Sequence, residues 1–171
     1  MALRRLYLDT NVYVEAVELP RGAAAGILEM AAVGGILVVE SDYLKSEVGT
    51  FFRRRYGRGV ALKELAFIDQ MPASRPVDSD GWRPAMALVD PFVRDRRDAP
   101  HFAAALVGEA EVLVSRNRRS IHPAMFDVMP VATPELVLEG LVDDEKWPTR
   151  EHLRREWEAW ASRSPRAPRR A

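Results

Sequence analysis

The stretch "ILVVE" at residues 36–40 constrains this chain more than any other. A strand with one wet face alternates apolar and polar side chains, so an unbroken apolar run of strand length needs cover on both faces. Cover on both faces implies a mainly parallel sheet held between helices. Two other stretches have strand character: "RRLYL" at residues 4–8, which runs straight into Asp9, and "EVLVS" at residues 111–115. Helical patterns separate them. Residues 11–16 read as a helical turn, broken by "PRG" at 20–22. Residues 23–33 are Ala-rich and stop at Gly34 and Gly35. After a cap at Ser41 or Asp42, the next helix carries Leu44, Val48, Phe51 and Phe52 on one stripe. Further helices are expected at 61–69, 82–92, 99–108 and 134–141, with short strands at 75–77 and 126–129. Strands alternating with helices make βα units. The expected fold is α/β, a three-layer α/β/α sandwich with a mainly parallel central sheet.

The composition suits a globular domain: 171 residues, 47% hydrophobic and 29% charged, with zero formal net charge. A neutral chain has no global field to attract nucleic acid, so any such attraction must come from local patches. No cysteine is present, which rules out disulfides and thiolate metal sites and fits a reducing, cytoplasmic setting. The opening "MALRRLYLDT" lacks the apolar core of a signal peptide. The stretch "GILEMAAVGGILVV" is interrupted by Glu29 and two glycines and is too short to span a bilayer, so no membrane partner is expected. Residues 1–142 are expected to form the main domain. From residue 143 the chain shifts to charge and tryptophan. Residues 149–161 read as a helix with Leu153, Trp157 and Trp160 on one side, and the Pro- and Arg-rich end after Ser162 reads as disordered. The tryptophans of this extension are expected to pack on the chain's own core, with a dimer contact or the groove of a partner helix as alternatives.

In open α/β sheets, ligands bind beyond the carboxyl ends of the strands. Asp9 follows the first strand there. Glu47 lies on the apolar stripe of its helix, where an ionised carboxylate needs a compensating cation. Asp98 opens the helix "DAPHFAAAL" at an N-cap position, with Pro100 in its first turn. Ser115 and Asn117 follow the "EVLVS" strand as Thr10 and Asn11 follow the first. Each feature has a plainer reading. Asp9 and Asp98 also read as simple helix caps, Glu47 as the partner of an arginine, and His101 as a packed, hydrogen-bonded histidine. Acids from three stretches mapping to one rim favour a shared cation instead. Carboxylates without cysteine or clustered histidine suit Mg²⁺ or Mn²⁺ rather than Zn²⁺.

The pattern resembles the PIN domain family, and within it the VapC-type toxins. "YLDTNV", "SDYLKSEV" and "RDAPHFAAALVGEAEVLVSRN" resemble, in order, the family's acid-bearing segments over roughly residues 4–140. The resemblance implies a metal-dependent endoribonuclease using Mg²⁺ or Mn²⁺, acting on tRNA, rRNA or mRNA, usually dimeric and bound by a small antitoxin. Carried over by position, Asp9, Glu47 and Asp98 would be catalytic, with Asp9, Asp98 and Asn117 at the metal. Asn117 departs from the pattern, which often has Asp at this fourth position. Asn brings no charge, so one tightly held ion is expected, with Glu47 positioning or activating a water.

Thr10, Asn11, Ser115, Arg116 and Arg118 are expected to contact substrate, or, for Thr10 and Asn11, to cap the next helix. "FFRRRYGRG" groups Arg53, Arg54, Arg55 and Arg58 around Tyr56, a mixture that suits single-stranded RNA and equally a solvated helix end. Two other functions stand beside the nuclease. One is a degenerate PIN-like module that binds RNA or protein without cutting, as Asn117 would allow. The other is an unrelated α/β module with an acidic Mg²⁺ site. No "DxD" pair follows the first strand, and neither the phosphoacceptor Asp nor the late Lys of a receiver domain is evident.

Overall fold

The computed structural model describes residues 3–163; the expected disorder of the basic end falls mostly outside them. In chain order the elements are β1 (Arg5–Leu8), α1 (Thr10–Glu18), α2 (Ala23–Ala32), β2 (Leu37–Ser41), α3 (Asp42–Tyr56), α4 (Arg58–Asp69), β3 (Ser74–Val77), α5 (Ser79–Trp82), α6 (Met86–Val89), α7 (Ala99–Val107), β4 (Val112–Val114), α8 (Met125–Val128), β5 (Val131–Ala132), α9 (Pro134–Val142) and α10 (Arg150–Arg163). The strands form one parallel sheet in the order β3-β2-β1-β4-β5. β1 is central, with Leu6 opposite both Val38 and Val112. Leu6, Tyr7, Leu8, Val38, Val39, Leu113 and Val114 are buried, as the apolar runs require of strands covered on both faces. The sheet is flanked by helices, and the expected α/β/α architecture stands. No helix among the described residues is long and apolar enough to cross a membrane.

Local chemistry explains the boundaries. Ser41 rather than Asp42 caps α3: its Oγ accepts the Leu44 N–H at 3.1 Å. Asp42 instead accepts the Trp82 indole N–H at 2.7 Å and the Ser79 N–H at 2.9 Å, tying α3 to α5. Gly57 ends α3 and begins α4 at φ 91°, a conformation costly for any residue with a Cβ. At the end of β2, Glu40 is buried and paired with Lys45 Nζ at 3.1 Å, and the same ammonium reaches Asp69 of α4 at 2.7 Å. The C-terminus of α7 presses on the sheet so closely that a Cβ at Gly108 would sit 2.1 Å from Val39 Cγ1.

Four expectations need correction. Residues 126–129 are not a strand. Met125–Val128 form α8, with Met125 and Phe126 both buried, and the pairing strand is β5, after Pro130. Consecutive buried positions do not fit a period of two. Residues 82–92 do not form one helix either. Pro84 and Pro91 sit in 3₁₀ turns at Arg83–Ala85 and Asp90–Phe92, between and after the short helices α5 and α6. Phe51 is off the buried stripe: Leu44, Val48 and Phe52 are fully buried, whereas Phe51 is 37% exposed. The first helix is also longer than a turn, at nine residues.

The C-terminal tryptophans pack on this chain. Leu153 and Trp157 of α10 are buried, Trp157 packs 6.2 Å from the Phe126 ring, and its indole N–H donates to the Arg118 carbonyl at 3.0 Å. The Arg4 guanidinium lies 4.4 Å from the Trp147 ring. Trp157→Ala removes a buried ring and a hydrogen bond, and should cost about 3 kcal/mol of stability in urea denaturation. Gly108→Ala should cost about 1–3 kcal/mol through overpacking against Val39.

Candidate metal centre

The carboxyl end of the central strand carries Asp9, whose backbone N–H donates to the Val114 carbonyl of β4 at 3.0 Å. Its side chain is held by three donors. Oδ1 accepts the Thr10 N–H at 2.7 Å, and Oδ2 accepts the Ser115 hydroxyl at 2.6 Å and the Asn11 amide. Asp9 is thus both the N-cap of α1 and the centre of the rim, and its two readings are compatible. A carboxylate offers about four acceptor positions, so this fixed orientation still leaves capacity for a cation. Ser115 Oγ also accepts from Asn11 Nδ2 at 3.0 Å and from the Asn117 N–H at 2.9 Å. The Arg116 N–H donates to Asn11 Oδ1 at 3.0 Å. Asn11 and Ser115 therefore stitch the loop after β4 to the start of α1.

Glu47 reaches the rim from α3. Its Oε2 accepts the Thr10 hydroxyl at 2.6 Å and lies 2.9 Å from His101 Nε2, while the same nitrogen is 3.7 Å from Asp9 Oδ1. Burial pushes the Glu47 carboxyl upward, but hydrogen bonds from His101 and Thr10 outweigh it and hold the group below its ordinary range. The partner that answers Glu47 is a histidine, not an arginine. Burial pushes the His101 imidazole down, and the bond to Glu47 with the charges of Asp9, Glu47 and Asp98 drives it above its usual value.

His101 is itself braced. It is buried on α7, and its Nδ1 lies 2.9 Å from the Tyr7 hydroxyl, which is 2.9 Å from Ser41 Oγ. A relay running from the Leu44 N–H through Ser41, Tyr7 and His101 to Glu47 satisfies every donor with a neutral imidazole protonated at Nε2. The reverse relay frees Nε2 for a metal, with Nδ1–H donating to Tyr7, as ligating histidines commonly donate through their other nitrogen. One atom each from Asp9, Glu47 and His101 lies within 4.8 Å of the others, and the three can hold a metal ion.

Asp98 opens α7 but makes no side-chain cap. Its Oδ2 accepts the Asn117 amide at 2.9 Å. Burial and the nearby charges of Asp9 and Asp95 raise its carboxyl above the ordinary range. Asn117 thus answers Asp98 with a donor where a second carboxylate would repel it. Arg116, expected at phosphate, engages Glu15 at 2.6 and 2.5 Å and Glu135 at 2.6 Å. Arg118 is half-buried, and its carbonyl receives the Trp157 indole. Among residues outside the expected set, His101 joins the trio and Tyr7 and Ser41 support it. The histidine three positions after Asp98 was the visible signal. Tyr7 gave none, because a tyrosine in an apolar run reads as core.

A PIN domain family model matches residues 5–119. No curated protein matches the chain. Among solved structures, the chain is similar to VapBC2 from Rickettsia felis bound to a DNA fragment from their promoter, at TM-score 0.54 and 13% identity over 75% of this chain and 98% of that one. It is likewise similar to a toxin–antitoxin complex from Klebsiella pneumoniae, at TM-score 0.53 and 19% identity over 75% of this chain and 97% of that one. At these identities the structural likeness speaks for the fold. With the family match spanning well over half of the sequence and the acidic rim in place, this chain belongs to the PIN domain family.

Proposed function

We propose that the chain is a metal-dependent endoribonuclease, the toxin of a toxin–antitoxin pair. The observation that carries the reading is the convergence of Asp9, Glu47 and His101 beyond the carboxyl end of β1, in a PIN domain. The antitoxin partner rests on the likeness to a toxin–antitoxin complex. The donor set fits a divalent ion: two oriented carboxylates, one imidazole, and a third carboxyl, Asp98, raised by crowding. Mg²⁺ or Mn²⁺ suits this oxygen-rich set, with Asp9 the ligand shared by the trio and by the expected set of Asp9, Asp98 and Asn117.

When bound, such an ion supplies Lewis-acid activation of water and screens charge on the phosphoryl oxygens. The residues of this chain do the rest. Thr10, Asn11 and Ser115 fix the Asp9 carboxylate. Glu47, kept ionised by Thr10 and His101, accepts the proton of the attacking water at its carboxylate oxygen. The water oxygen bonds to phosphorus, the bond from phosphorus to the leaving nucleoside oxygen breaks, and that oxygen takes a proton from solvent. His101 is a positioning residue here, aligned by Tyr7.

The Asn117–Asp98 hydrogen bond favours a second reading, a module that binds RNA without cutting. Incubation of total RNA with Mg²⁺ or Mn²⁺ decides between them. Wild type should cleave, and Asp9→Asn should lose at least a hundredfold in rate; intact RNA with the wild-type protein would leave the binding module. Metal binding is read separately. Mn²⁺ at a hundred times its Kd should stabilise wild type by about 2.7 kcal/mol, and Asp9→Asn should abolish the effect. In calorimetric titration, Asn117→Asp should add a second binding equivalent; unchanged stoichiometry and affinity would refute the one-ion assignment.

A further inference from the structure

A cavity of about 530 Å³ opens directly from the rim. Thr10 and Glu47 line it together with Ser46, Thr50, Phe51, Arg54 and Arg55 of α3. Phe51 is exposed in it. The ring stands edge-on to Phe52 at 5.8 Å and to Tyr56 at 6.5 Å. Arg54 is exposed and forms no ion pair among the described residues. Arg116, by contrast, is neutralised by Glu15 and Glu135.

The last turn of a helix favours cations through its dipole, which accounts for arginines at the end of α3. It does not account for a partly exposed aromatic ring packed beside them. One exposed Phe alone would mean little. Here it shares a cavity with a free guanidinium and with the acid that faces the metal centre. A planar face for stacking, a positive charge for phosphate and a direct opening to the reacting site are the parts of a single-stranded nucleic-acid track.

We propose that this cavity is a nucleotide subsite. It seats the RNA residue next to the scissile phosphate, its base on Phe51 and its backbone phosphate on Arg54, with the Thr50 hydroxyl within the same pocket. The inference rests on the ribonuclease reading and deepens it. Phe51 and Arg54 bind substrate and take no part in the bond-breaking step. Stacking is tolerant of sequence, so the subsite favours an unpaired strand over a duplex and need not favour one base.

The test uses the full chain and a fluorescein-labelled single-stranded 12-mer RNA, with binding read by anisotropy in EDTA so that no strand is cut. Phe51→Leu should weaken binding about tenfold, and Phe51→Tyr should restore it. Arg54→Gln should weaken binding and reduce the salt slope by about 0.7. With Mn²⁺ present, the same variants should raise KM and leave kcat near wild type, and their melting temperatures should match wild type. Wild-type affinity retained in Phe51→Leu and Arg54→Gln would overturn the subsite, as would no binding by wild type. A loss confined to an antitoxin or other protein partner, with RNA affinity unchanged, would overturn it in favour of a protein-docking cavity. If wild type binds but never cuts, and the variants still lose affinity, the subsite stands and the nuclease reading falls.

Discussion

A carboxylate fixed at the carboxyl edge of the central strand organises this molecule. Asp9 receives Thr10, Asn11 and Ser115, and its backbone bonds to Val114, so the start of α1 and the loop after β4 are held by one residue. Concentrating negative charge at one point in a poorly solvated rim is unfavourable unless donors or cations answer it. Within the chain itself, the answer is a ring of hydrogen bonds plus His101. Each group is shifted accordingly: Glu47 downward by its donors, Asp98 upward by burial and its acidic neighbours, His101 upward by the acids around it. Asp9, Glu47 and His101 lie close enough to hold a metal ion, and a cation there favours the charged form of each carboxyl.

The fold was legible where a single physical demand dominates. "ILVVE" had to be covered on both faces, and β2 lies in the sheet between β1 and β3. The acids after the strands were legible because topology alone sends strand ends to one rim. Reading failed where local pattern and tertiary demand part company. Phe126–Met129 alternates passably, yet Met125 and Phe126 bury together as a turn of helix. Phe51 sits at the right spacing for the core stripe, but its ring is out in the cavity, and only the packing of α3 on its neighbours decides that. Arg116 looked free beside the site because Glu15 and Glu135 are distant in sequence. His101 could be noticed but not ranked, since its partners Tyr7 and Glu47 come from two other elements.

The family match ends at residue 119, close to the loop that carries Ser115 and Asn117. The C-terminal segment beyond that point is no mere appendage. Trp157 of α10 packs on Phe126 and donates its indole N–H to the Arg118 carbonyl, the residue next to Asn117. Within that loop, the Ser115 N–H donates to the Ala132 carbonyl, the Arg116 N–H to Asn11 Oδ1 and the Asn117 N–H to Ser115 Oγ. Asn117 in that loop donates its amide to Asp98 at 2.9 Å. Arg116 holds the other side of the same loop to α1 and α9 through its two glutamates. The tryptophan and the arginine therefore do one job from opposite sides. They hold the loop that presents the Asn117 amide to Asp98.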